Sequence, residues 1–324
     1  MTVPEGACPS AWSILKKKWE NQRMSVLYSI LKPIIKKAVK GNLNQETYEE
    51  FVQVSHELQA KFKFQLPQKK GYEFRDEIID GCHCIVGHKS GSHTKRALLY
   101  LVGGGNRRYQ MPKVSAMVRY MDETDRDLWM PLYPLYPDHN LLDEVEMICH
   151  THSRMLQDYE PKEIAWLGFS SGAVNLLAAG RHIIKKGYDL PMPGLMISIS
   201  CNNIFISEES YERMKEIEKR DIMMFADSIK AWPDYYNHDG SLPSYLLGCA
   251  ETDDYTGFPK IIMYFGGDEI FAAEAPEYEK AFQRCGVKDY TIHVQPGLFH
   301  AYPFFTFVKE GKQGEDEIIG HLKS

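Results

Sequence analysis

The stretch Ile164-Ala165-Trp166-Leu167-Gly168-Phe169-Ser170-Ser171-Gly172 decides how this chain folds. Its first four residues are apolar with no polar alternation, which predicts a strand buried on both faces. The next five set a serine between two glycines. They run into residues 172–186, an Ala- and Leu-rich helical pattern stopped by Lys185-Lys186-Gly187. A strand that turns into a helix through Gly-x-Ser-x-Gly holds its serine on a strained turn, and small flanking residues let the two elements approach without clashing. The helix N-terminus beneath the serine favours developing negative charge. Ser170 is therefore read as a nucleophile. The five-residue pattern alone is frequent by chance, and the strand and helix around it give it meaning.

Short apolar runs recur on both sides of this turn, at 97–102, 128–135, 195–199, 261–265 and 290–294, with helical patterns between them. That rhythm predicts an α/β fold with a mostly parallel central sheet flanked by helices. One interval breaks it. The 60 or so residues between the runs ending near Ser200 and starting near Lys260 exceed what one crossover helix needs. They hold the charged helical stretch Glu208–Arg220 and the aromatic run Trp232-Pro233-Asp234-Tyr235-Tyr236. We read an insertion at about 203–255 that covers a site; a decorated surface connection is the plainer alternative. Ahead of the sheet, residues 10–66 place Trp12, Leu15, Trp19, Leu27, Ile30, Leu31, Ile34 and Ile35 at helical spacing. Gly41-Asn42 ends one helix, and Asn44 with Thr47 and Tyr48 opens another.

A serine hydroxyl needs a base, and the base needs an acid to hold its tautomer. Of twelve histidines, His150, His152 and His182 fall in helical patterns and His293 in a strand. His300 differs. It follows the last strand in Gly297-Leu298-Phe299-His300-Ala301-Tyr302, and α/β sheets place their sites in loops at the carboxyl ends of strands. Asp268, in Phe265-Gly266-Gly267-Asp268-Glu269, occupies the corresponding loop of the preceding strand and is the expected acid. Glu269 is its nearest rival, with Asp253 and Asp254 more distant. After the run 97–101 comes Val102-Gly103-Gly104-Gly105-Asn106. No Gly-Lys-Ser/Thr follows and no Gly-x-Gly-x-x-Gly opens a helix, so a phosphate cradle is the weaker reading. Backbone N–H groups brought against an oxyanion, together with the amide of Ser171, are the stronger one.

Composition narrows the partners. The 324 residues are 44% apolar and 25% charged, an ordinary globular mixture, with 38 Lys+Arg against 44 Asp+Glu and a net charge of −6. A mildly acidic, mixed surface does not suit nucleic acid or an anionic membrane. No run approaches 18 apolar residues, and Lys16–Lys18 follow rather than precede the first mixed segment, so a cytoplasmic location is expected. Seven cysteines at irregular spacing (8, 82, 84, 149, 201, 249 and 285) do not make a disulfide framework. Cys82-His83-Cys84 with His88 is the one cluster resembling a metal site. It reads as a strand, where alternation sends His83 to the opposite face from the cysteines. Neither metal nor cofactor is expected.

The order serine, acid, histidine, with a triple glycine upstream, resembles the hormone-sensitive-lipase-like branch of the α/β hydrolases, a family of esterases and lipases. The similarity runs from about residue 72 to the C-terminus and includes Tyr133-Pro134-Leu135-Tyr136-Pro137, which is similar to the family's Tyr-x-Leu-Ala-Pro segment. The resemblance implies that Gly104, Gly105 and Ser171 supply oxyanion amides while Gly103 shapes the loop. The chain departs from the family in Val102, where a histidine is usual. Phe169, Ser171 and Ala173 likewise stand where Asp, Ala and Gly are usual. The backbone chemistry survives these changes because amides do the binding. The resemblance leads us to expect a carboxylic ester hydrolase with Ser170 as nucleophile, His300 as base and Asp268 as orienting acid, acting on small esters. Its domain runs over 71–324, and residues 1–70 form an N-terminal helical segment that joins the insertion in a cap. Such a cap would confine the pocket to acyl chains of roughly two to eight carbons. The same triad serves amidases, formamidases and peptidases, and a non-catalytic ligand-binding relative would typically have lost a triad member. Dimers are common in this family, so the resemblance allows a homodimer.

Overall fold

The computed structural model describes residues 30, 32–34, 47–248 and 254–324. Most of the 10–46 helical reading lies outside them, as do Cys8, Cys249 and Asp253. The sheet begins with a hairpin of β1 (Tyr72–Ile79) and β2 (Cys82–Lys89), joined by Asp80-Gly81 with φ of 51° and 79°. Two successive positive φ values make the turn whose twist matches the strands it joins. The six further strands are β3 (Ala97–Leu101), β4 (Asp127–Pro131), β5 (Ile164–Phe169), β6 (Leu195–Ile199), β7 (Lys260–Gly266) and β8 (Tyr290–Gln295). Their order is β1-β2-β4-β3-β5-β6-β7-β8, with β1, β2 and β4 antiparallel and every later pairing parallel. β3, β5 and β6 are buried at every position, as continuous apolar runs require when both faces are covered. The run expected to reach residue 135 stops at Pro131, where prolines at 131, 134 and 137 deprive the backbone of ladder donors.

Ten described helices surround the sheet. α1 (Tyr48–Ala60) opens on a capping box, Thr47 accepting from the Glu50 amide and Glu50 from the Thr47 amide. α2 (Val114–Thr124), α3 (Leu141–Met155) and α4 (Ser171–Lys186) follow the central strands. The insertion carries α5 (Glu208–Glu218), α6 (Ala226–Lys230), α7 (Trp232–Tyr236) and α8 (Ser244–Leu247); α9 (Ala275–Arg284) and α10 (Lys309–Lys323) complete the set. The sheet divides the interior in two. α3, α4, α9 and the insertion close one core around Trp129, Trp166 and Phe265; α2 and α10 close the other around Leu98, Leu167 and Ile197. α1 packs on the insertion, with Phe51 5.1 Å from Tyr235 and 5.4 Å from Tyr236, and Tyr48 stacked on His238 at 3.7 Å.

Among the described residues no helix is long and apolar enough to cross a membrane, and no cluster of His, Cys, Asp or Glu could hold a metal ion. On β2, Cys84 is buried while His83 lies on the other face, stacked on Phe64 at 3.8 Å and bonded to Asp76 at 2.7 Å. Those contacts account for its presence there.

Candidate active site

Ser170 sits between β5 and α4 with φ 53° and ψ −128°, a conformation costly for any residue with a side chain. Its amide continues the ladder to Ile199 O (2.9 Å) and its carbonyl accepts from Ala173 in the first turn of α4 (2.9 Å). The flanking glycines are required by contact. A Cβ on Gly168 would lie 2.4 Å from Gly172 O, and one on Gly172 would lie 2.3 Å from Leu101 O. No larger residue lets strand and helix come this close, so the strain at Ser170 is held by the packing on either side of it.

His300 follows β8 in a loop and is almost fully buried, with Phe271 edge-on to its ring at 5.2 Å. Its Nδ1 lies 2.7 Å from Oε2 of Glu269, not from Asp268. Glu269 is fully enclosed, and its Oε1 accepts from Ser200 Oγ (2.8 Å) and the Gly266 amide (2.7 Å). A carboxylate can only accept, so the ring donates through Nδ1, and Nε2 is the nitrogen turned away from Glu269. Asp268 is turned the other way: Oδ1 accepts from Arg220 Nε at 2.9 Å and Oδ2 from Lys32 Nζ. The expectation that Asp268 orients His300 is therefore corrected to Glu269. The cause is local. The Asp268 amide bonds Leu298 O and the Glu269 amide returns to Gly266 O, a tight turn that puts successive side chains on opposite sides. The more distant rival Asp254 pairs with Lys185 and caps Thr256.

Sequence reasoning missed Ser200. Its hydroxyl donates to Glu269 and accepts from the Ala301 amide (2.8 Å), so one side chain spans the Glu269 carboxylate and the loop that carries His300. The available signal was its place just beyond β6, at the edge where the other site residues lie. It also missed the attachments of the insertion. Asp221 accepts from the amides of Met223, Met224 and Ile270 (2.6, 3.0 and 2.8 Å), and burial nevertheless raises its pKa. With Arg220 on Asp268, two consecutive residues of the insertion grip the loop holding Glu269.

The triple-glycine loop is fixed carbonyl by carbonyl. Val102 O accepts from Tyr133 Oη (2.5 Å), Gly103 O from the Gln110 amide (2.9 Å), Gly104 O from the Arg107 amide (3.4 Å) and Gly105 O from Tyr236 Oη (2.7 Å). Because the peptide unit is planar, holding a carbonyl also aims the next N–H. The amides of Gly104 and Gly105 are thus set by the bonds to Gly103 O and Gly104 O. Gly104 has φ 138°, and a Cβ there would lie 1.8 Å from Arg108 O, which only glycine avoids. Beneath the loop Asn106, with φ 53°, forms a buried amide pair with Asn175 of α4 (3.1 Å), and Asn175 donates to Glu144 of α3 at 2.7 Å. Burial pushes the Glu144 carboxyl well above the usual range.

Gly104, Gly105, Ser170, Ser171 and His300 all line one cavity of about 1010 Å³; Gly103 lies behind it against Phe169. Trp232, Tyr236, Met223 and Met224 of the insertion close one side. The triple-glycine loop also meets α1, since Arg107 donates to Ser55 Oγ (2.8 Å) and Phe51 O (3.2 Å) and lies over the Phe51 ring.

Residues 98–304 match the family model described as alpha/beta hydrolase fold, and the chain belongs to that family. Similar solved structures are esterases. An esterase/lipase from an uncultured bacterium is 19% identical, with 92% of this chain and 98% of that one covered and a TM-score of 0.74. An esterase from the bacterial hormone-sensitive lipase family is also 19% identical, covering 93% and 99% at a TM-score of 0.72. A putative esterase from Staphylococcus aureus is 15% identical, covering 87% and 94% at 0.70. No curated protein sequence matches the chain at a significant level.

Proposed function

We propose that the chain is a serine hydrolase of carboxylic esters, with Ser170 as nucleophile, His300 as base and Glu269 as the acid behind it. The observation that carries this is the strained Ser170 facing the same cavity as a histidine whose Nδ1 is committed to a buried carboxylate. Ser170 Oγ adds to the ester carbonyl as its proton passes to Nε2 of His300. The oxyanion that forms meets the amides of Gly104, Gly105 and Ser171. Collapse expels the alcohol, which takes the proton from His300, and leaves an acyl group on Ser170. Water activated by the same nitrogen then releases the acid and restores the serine. Every proton in this cycle is carried by His300, so the chemistry needs no metal or cofactor.

In this reading residues 1–70 and the insertion at about 203–255 form the cap. The packing of Phe51 on Tyr235 and Tyr236, and of Arg107 on α1, supports it. Small esters with short acyl chains are the proposed substrates. The test is labelling of the full chain with a small fluorophosphonate. A single adduct located on Ser170, accompanied by loss of turnover of a short-chain aryl ester, is expected; a folded chain that takes no adduct contradicts the reading.

A further inference from the structure

Phe169 stands immediately before the nucleophile, where the resembled family has an aspartate. Its ring falls on the α2/α10 side of the sheet, 4.8 Å from Phe304 and 6.3 Å from Tyr100. Tyr100 in turn lies 5.8 Å from Tyr120 and 6.4 Å from Phe304, centroid to centroid. All four rings, with Phe305, line the same cavity as Ser170 and His300. The wall is also fixed against the oxyanion-type loop, because a Cβ on Gly103 would lie 2.8 Å from the Phe169 ring. An aspartate at 169 would put a charge on this wall; phenylalanine makes it continuously aromatic from β3 to the loop after β8.

We propose that this wall is the subsite for the alcohol portion of the substrate, and that it selects esters whose alcohol bears a ring, aromatic or alicyclic. The proposal rests on the ester-hydrolase reading of Ser170. His300 must hand its proton to the departing alcohol oxygen, so that alcohol lies on the histidine's side of the nucleophile. The loop carrying His300 continues directly into Ala301, Phe304 and Phe305 of this wall. Rigid ring faces gain most from a rigid planar or cyclic partner, since little conformational freedom is lost on contact and ring pairs add to simple burial. Phe169 is the specificity-determining residue: it is the ring nearest the nucleophile in sequence and touches both Phe304 and the Gly103 loop.

The test compares kcat/KM for acetates matched in carbon number and leaving-group chemistry: cyclohexylmethyl against heptyl, and 2-phenylethyl against octyl. The wild-type chain should favour the cyclic member of each pair. Phe169→Leu and Phe304→Leu should each lower the cyclic-to-linear ratio about tenfold. The ratio is the readout because a general loss of catalytic power lowers both members together, and either variant serves if the other does not fold. A wild-type ratio near one, a ratio neither variant moves, or a ring preference that appears only when the ring sits in the acyl portion overturns the subsite. A chain that labels with fluorophosphonate but shows no ring preference leaves the ester-hydrolase reading standing. One that neither labels nor turns over ester takes both down.

Discussion

Glu269 is enclosed on every side, its Oε1 taking Ser200 Oγ and the Gly266 amide while Oε2 takes Nδ1 of His300. Replacing that acceptor with an amide either presents an N–H to His300 or forces the ring into the tautomer whose Nε2 is already protonated. Glu269→Gln should therefore lower kcat on a short aryl ester by about 10³–10⁴-fold with the fold intact. Asp268→Asn should retain turnover within about tenfold. Its cost falls on stability, about 1 kcal/mol by denaturant unfolding, because Arg220 is half exposed and stays partly solvated. The reverse ranking of the two variants would restore Asp268 as the acid. Two adjacent carboxylates in one loop look alike in sequence. What separates them is a turn closed by Gly266 and Leu298 and a cation 48 positions away, neither of which composition or spacing reveals.

The elements around the site act through what they hold still. α3 contributes Glu144, α4 contributes Asn175, and together they support Asn106 at the end of the triple-glycine loop. Burial raises the folded pKa of Glu144 above its unfolded value, so the folded chain keeps a proton that the unfolded chain releases. Stability from this group is full below the ordinary glutamate range and is lost as pH rises toward the folded value. Glu144→Gln keeps the shape and the acceptor and removes the titration. Its stability relative to wild type should improve with rising pH, by up to about 1.4 kcal/mol per unit, read as Tm from pH 5 to 9. Parallel pH dependences in the two proteins would show that Glu144 is ionised in the folded state. This network was illegible in sequence because Asn106, Glu144 and Asn175 sit in three separate elements, and nothing in their spacing links them. The elements themselves were legible: the runs at 195–199 and 164–167 became β6 and the first part of β5, since unbroken apolar stretches have no stable place but the middle of a covered sheet.

Across the whole molecule, the sheet carries Ser170, Glu269 and His300 to one edge from three parallel strands, and the insertion closes over them. Ser170, the Asp268–Glu269 loop and His300 follow the ends of β5, β7 and β8 in that order; the buried runs of β5 and β7 are plain in sequence, whereas β8 is a half-buried edge strand. The grip of Arg220 and Asp221 on the loop holding Glu269 could not be read the same way; the helical pattern of 208–220 is visible in sequence, but not where its end folds back onto the sheet. Acylation of Ser170 and its later deacylation are the centre of the proposed chemistry. The measurement that addresses them most directly is the pre-steady-state release of aryl alcohol from a short-chain aryl ester by the wild-type chain, Ser170→Ala and Ser171→Ala. A burst approaching one alcohol per chain is predicted in the wild type, none in Ser170→Ala, and a retained burst in Ser171→Ala, whose contribution is a backbone amide. A burst that survives Ser170→Ala, or that both substitutions abolish equally, would contradict the assignment of Ser170 as nucleophile.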